Sequence, residues 1–92
     1  MISSDHKVVG MMKVVLKKQP QKYLSSVDEP TRKKLRKALT ALANLEGDIK
    51  RLKGKNNLYR YKIAHYRILF SIDAEGHIII VSTINTRTNI NY

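Results

Sequence analysis

Arg60, Lys62 and Arg67 are the residues of this chain whose types and spacing best suit chemistry. They lie in Tyr59-Arg60-Tyr61-Lys62-Ile63-Ala64-His65-Tyr66-Arg67-Ile68-Leu69-Phe70, where aromatic and β-branched residues recur at every second position on either side of Ala64-His65. That alternation predicts two strands joined by a two-residue turn. Pairing Ile63 with Tyr66 sets Lys62 opposite Arg67, Tyr61 opposite Ile68 and Arg60 opposite Leu69, so one face carries Tyr61, Ile63, Tyr66 and Ile68 and the other carries the three cations. Like charges directly across a strand pair repel. A surface selected only for stability is not expected to gather three of them, and an anion belongs there. A phosphodiester fits, with Arg supplying a planar bidentate fork and Lys a compact point charge. The competing reading is an ordinary solvent-facing sheet surface in a basic chain.

Other chemistries lack their residues. The chain has no cysteine, which removes disulfides, thiolate metal sites and a cysteine nucleophile and suits a reducing cytoplasm. His6, His65 and His77 are scattered with no carboxylate at a coordinating interval, so no metal site is expected. The four glycines are too dispersed for a phosphate loop, and the seven Asp and Glu fall at caps, turns and loops rather than as an acid/base pair. No metal or other cofactor is expected. Eighteen Lys and Arg give a net charge of +11, which favours nucleic acid, an anionic membrane surface or an acidic protein as partner. The longest apolar run, Ile78 to Val81, is far short of a bilayer span, and residues 1–12 carry no secretory h-region. No membrane association is expected.

Ninety-two residues make one domain with a small core. Residues 1–11 hold little apolar material and precede a possible second start at Met11-Met12, so they read as a dispensable extension to a domain over 12–92. Met12 to Leu16 predicts a strand. Gln19-Pro20 opens a short helix with Tyr23, Leu24 and Val27 at helical spacing. Asp28 is the expected N-cap of a long amphipathic helix, with Glu29 and Pro30 in its first turn, Leu35, Ala38, Leu39, Leu42 and Leu45 on its apolar stripe, and Gly47 as its stop. Arg32, Lys33, Lys34, Arg36 and Lys37 read as the solvated side of that helix. Asp48 to Gly54 is expected to be an irregular connector pinned by Ile49 and Leu52. After the hairpin, Asp73-Ala74-Glu75-Gly76 forms a second turn with Gly76 at positive φ. His77 to Ile84 then forms a strand whose Ile78-Ile79-Ile80-Val81 run suggests burial on both faces. The fold class is α+β, with two helices on one face of a small, mainly antiparallel sheet ending in a three-strand meander. If the polar tail folds back, Arg87 adds a cation and Tyr92 a ring able to stack on a base.

Leu52-Lys53-Gly54 followed by Leu58 to Asp73 resembles the core signature of the RelE/ParE toxin superfamily, and the resemblance runs from about Met12 to Tyr92. It implies a strand-helix-helix-strand-strand-strand order and the toxin of a type II toxin–antitoxin pair. RelE-type members are ribosome-dependent endoribonucleases that cut mRNA and are neutralised by an antitoxin. By the resemblance Arg67 matches a phosphate-stabilising arginine, Arg60 and Lys62 a basic pair, Arg87 a proton donor to the leaving oxygen, and Tyr92 a terminal tyrosine that stacks on the substrate. Lys53 and Lys55 join Arg60 in holding RNA phosphates. The implied partners are a cognate antitoxin, the ribosome and mRNA, in the cytoplasm, without metal or small-molecule cofactor. Two features depart from the family pattern. His65 stands where a small or acidic residue is usual, which makes it either an added acid/base group or a turn residue, and a single arginine follows the last strand. Two other functions remain open: a ParE-type toxin that inhibits DNA gyrase by binding, and a non-catalytic RNA- or DNA-binding module.

Overall fold

The computed structural model describes residues 12–92. The expected extension 1–11, with the choice between Met1 and Met11 as start, lies outside the described residues. The elements are β1 (Lys13–Leu16), α1 (Lys18–Ser26), α2 (Glu29–Ala43), β2 (Asp48–Arg51), β3 (Tyr59–Ile63), β4 (Tyr66–Asp73) and β5 (Ile78–Thr86). They form one five-stranded sheet of order β1-β5-β4-β3-β2, in which β1 runs parallel to β5 and every other pair is antiparallel. This is the expected α+β architecture, with one strand more than the sequence suggests.

Both helices cover the same sheet face. Leu24 of α1 and Leu35, Ala38 and Leu42 of α2 pack against Tyr61, Ile68, Phe70, Ile79, Val81 and Ile84. Fully buried Leu, Ile and Phe side chains of this kind contribute about 1.5–3 kcal/mol each. In β5, Ile79 and Val81 are completely buried while Ile78 and Ile80 are only half-buried. The apolar run is therefore covered on one face, not two.

Four local expectations change. Asp48 to Arg51 is the edge strand β2, paired with β3 through Ile49↔Tyr61 and Lys50↔Arg60, not an irregular connector. The left-handed residue that ends α2 is Leu45 (φ 55), whose N–H bonds to Leu42 O at 2.8 Å, two residues before the expected glycine stop. In the β4–β5 turn the positive φ belongs to His77 (φ 53) and not to Gly76, so His77 ends the turn instead of opening the strand. Arg32 is not part of a merely solvated row. Its guanidinium donates to Leu24 O and Val27 O, each at 2.8 Å, and pairs with Glu29, so it caps the carbonyl end of α1. Asp28 does occupy the N-cap position of α2, with extended backbone and its carbonyl accepting from Arg32 N–H at 2.9 Å, but its side chain makes no cap hydrogen bond.

Gly47 has a different task. Its φ is +117, and a Cβ there would enter the Tyr61 ring, 2.8 Å from the hydroxyl oxygen. Tyr61 is 5% exposed, and burial, with the nearby Glu46 charge second, raises its hydroxyl pKa above the ordinary value. Gly47→Ala is expected to destabilise the fold by about 2 kcal/mol, from backbone strain and overpacking together. Urea unfolding would measure it, and an unchanged midpoint would refute this account.

Candidate nucleic-acid interface

The hairpin forms with the expected register: Ile63↔Tyr66, Lys62↔Arg67, Tyr61↔Ile68 and Arg60↔Leu69, extended to Tyr59↔Phe70. Tyr59 and Phe70 stack with ring centroids 5.4 Å apart. Since paired residues share a face, Tyr61, Ile68 and Phe70 go to the helices, and Arg60, Lys62, Arg67 and Leu69 to the opposite side. Pairing of β4 with β5 adds Asn85 beside Arg67 and Thr83 beside Leu69. On the other flank β2 brings Lys50 beside Arg60 and Asp48 beside Lys62. The uncovered face thus carries four cations on three adjacent strands with one carboxylate among them.

The like charges are kept apart by how each is held. Arg67 is 8% exposed, and its Nη1 donates to Ala64 O at 3.1 Å and Tyr66 O at 2.8 Å. Carbonyl dipoles therefore absorb part of its charge and fix its plane, while its remaining donors make no protein hydrogen bond among the described residues. Arg60 turns the other way, with Nη2 3.7 Å from Asp48 Oδ1 and a buried Nε that has no partner. Lys62, between them, is exposed. Fixed, desolvated guanidinium groups of this kind bind an anion more strongly than mobile surface cations do.

Arg87 lies one residue beyond β5, and its N–H bonds to His65 O at 2.7 Å, which brings its backbone to the β3–β4 turn at the end of the sheet where Arg67 is held. The chain then curls, with Asn89 N–H and Ile90 N–H both bonded to Thr86 O. Tyr92 is 53% exposed and stacks on no other ring among the described residues. Lys53 and Lys55 lie in the β2–β3 loop, around an open cavity of about 560 Å³ lined by residues 51–56. That loop is at the far end of β3 from the turn, anchored by the Asn57 side chain on Ile72 N and O. The structure therefore groups Arg60, Lys62 and Arg67, sets the Arg87 backbone at their border, puts Lys53 and Lys55 at the far end of β3, and leaves Tyr92 exposed. His65 lies in the turn with its ring 4.2 Å from that of Tyr66. The sequence reading missed Lys50 and Asp48. The signal was Ile49 facing the core between charged neighbours, which is a common pattern for an edge strand.

Among the described residues no group of three or more His, Asp or Glu could hold a metal, and no helix is long and apolar enough to cross a membrane.

Comparison with known proteins places this arrangement. A search of curated proteins found no match. Among solved structures, the chain is similar to the archaeal RelE-RelB complex from Pyrococcus horikoshii OT3, with a TM-score of 0.70 and 21% identity over 87% of this chain and 99% of that one. It is also similar to the RelB-RelE antitoxin-toxin complex from Methanococcus jannaschii, with a TM-score of 0.62 and 28% identity over 80% and 91% of the two chains. The intact E. coli RelBE toxin-antitoxin complex gives a TM-score of 0.66 and 17% identity over 82% and 95%. Residues 14–90 match the family model described as ParE toxin of type II toxin-antitoxin system, parDE. Because that match runs from β1 through the tail and takes in every strand that carries the cationic face, the chain belongs to the ParE toxin family of type II toxin–antitoxin systems, within the RelE/ParE superfamily.

Proposed function

We propose that this toxin is a ribosome-dependent endoribonuclease that cleaves mRNA and so inhibits translation. The observation that carries the reading is Arg67: a guanidinium nearly buried on an uncovered sheet face, locked by two carbonyls and flanked by Lys62 and Arg60. In the proposed reaction a ribose 2′-hydroxyl gives up its proton to solvent water as its oxygen attacks the adjacent phosphorus, the bond to the 5′ oxygen breaks and that oxygen takes up a proton, and the charge that builds on the phosphate oxygens is met by Arg67 and Lys62. Arg87 serves the departing oxygen and Tyr92 orients the base. Arg60, with Lys53 and Lys55 in the β2–β3 loop, holds neighbouring phosphates. The step uses fixed positive charge, which suits a cluster of four cations with only Asp48 among them.

A cognate antitoxin is the proposed partner in the cytoplasm, supported by the RelE–RelB complexes the fold resembles. An acidic or amphipathic antitoxin segment that covers the cationic face would silence the toxin. The match to the ParE family model favours a second reading, inhibition of DNA gyrase by binding. A purified translation reaction and a supercoiling assay separate the two. The endoribonuclease reading expects message cut only when ribosomes are present and supercoiling unaffected. Whole message with inhibited supercoiling would replace it with the gyrase reading. Whole message with unaffected supercoiling would leave a non-catalytic nucleic-acid-binding module.

A further inference from the structure

Three successive carbonyls of one turn hold two arginines. Ala64 O and Tyr66 O accept from Arg67 Nη1, and His65 O, between them, accepts from Arg87 N–H at 2.7 Å. Ala64 adopts φ 53, a left-handed conformation that costs an alanine about 1 kcal/mol and that two-residue hairpin turns normally give to Gly, Asn or Asp. The peptide plane set by that conformation carries the Ala64 carbonyl that meets Arg67. The second turn residue, His65, places its ring 4.2 Å from that of Tyr66. The separation of the Arg67 guanidinium from the Arg87 backbone is therefore set by the turn together with the β4–β5 pairing that ends at Tyr66↔Thr86.

We infer that Ala64 and His65 form a positioning element that holds the Arg67 guanidinium and the Arg87 backbone in one fixed relation. Its catalytic consequence rests on the endoribonuclease reading. A small displacement of a catalytic group is enough to cost roughly 10- to 100-fold in rate. Ala64→Val, a β-branched residue ill suited to positive φ, should lower kcat for message cleavage by roughly 10- to 100-fold at nearly unchanged KM, while Ala64→Gly keeps both within about threefold. Inserting one glycine between Ala64 and His65 gives a common three-residue hairpin loop and serves if the valine variant fails to fold. Guanidinium NMR supplies a readout independent of activity. Slow Nη rotation of Arg67 is expected in the unsubstituted protein and in Ala64→Gly, with averaging in the valine and insertion variants. Full turnover by a folded Ala64→Val or insertion variant, or freely rotating Arg67 in the unsubstituted protein, would overturn the inference. If the unsubstituted protein cuts no message, the endoribonuclease reading fails, and the NMR comparison alone decides whether the turn positions the arginines.

Discussion

On the proposed endoribonuclease reading, Arg67→Ala is expected to lower single-turnover cleavage of ribosome-bound message by about 10²–10³-fold, the scale of losing one preorganised charge donor from a transition state. The protein should remain folded. Removing the guanidinium leaves Ala64 O and Tyr66 O without their donor, at roughly 1–2 kcal/mol. It also relieves the cross-strand repulsion with Lys62, which offsets that loss by roughly 0.2–1 kcal/mol. The balance is a small destabilisation, so a large loss of activity at nearly constant melting temperature marks a catalytic rather than a structural effect. Arg67→Lys restores the charge without the fork. A lysine cannot donate to the turn while offering further planar donors to a phosphate, so it should recover little of the lost rate. Unimpaired cleavage by Arg67→Ala would remove this residue from the reaction.

Phe70→Ala should destabilise the fold by about 3–5 kcal/mol, the usual cost of emptying a fully buried aromatic site. Phe70 has no exposed surface, stacks on Tyr59, and sits where the β4–β5 pairing shifts register at Leu69/Phe70. Its ring fills the space against which both the hairpin and the register shift are set. A small domain holds only about 5–15 kcal/mol in total. The variant should therefore melt more than about 12 °C lower, by far-ultraviolet circular dichroism, and show fraying of β4. Phe70→Leu, which keeps most of the volume, should cost less than about 1.5 kcal/mol. A loss below about 1 kcal/mol for the alanine variant would mean that the core is organised around other residues.

The hairpin was legible in the sequence because two independent patterns coincide there: an alternation that fixes which face is buried, and cations at the alternate positions. Its register followed directly. The strand before it was not legible. Three of the four residues of β2 are charged. An edge strand gains from such charges because they discourage pairing with other chains, yet the same charges resemble a loop. That one omission hid Lys50 and Asp48 and made the cationic face look smaller than it is. Arg32 was hidden differently. Nothing in a run of five basic residues on one helix shows that a single member reaches carbonyls of the preceding helix. Left-handed positions were expected at glycines, but Leu45, Asn57, Ala64 and His77 also adopt them. At Ala64 the compensation is visible in the Arg67 bonds, a tertiary effect that no local propensity reports. The tail was legible only as far as Arg87, because a polar segment records no partner in its composition.

The parallel pairing of β1 with β5 also governs the order in which the molecule can come into being. Their register joins Lys13 to Ile78, and the Gln19 amide completes the same seam by bonding Ile84 N and O across 65 residues of sequence. During synthesis at about 5–20 residues per second, β1 waits several seconds for β5, its only sheet neighbour among the described residues. In that interval α1 and α2 have no completed sheet to cover, and β4 lacks the strand that supplies Asn85 and the anchor for Arg87. Non-local parallel pairing of this kind forms slowly, because loop closure must precede the contacts that reward it. A nascent chain thus holds the cations of the hairpin well before β5 sets Asn85 and the Arg87 backbone beside them, and the five-stranded face exists only once that strand has been added.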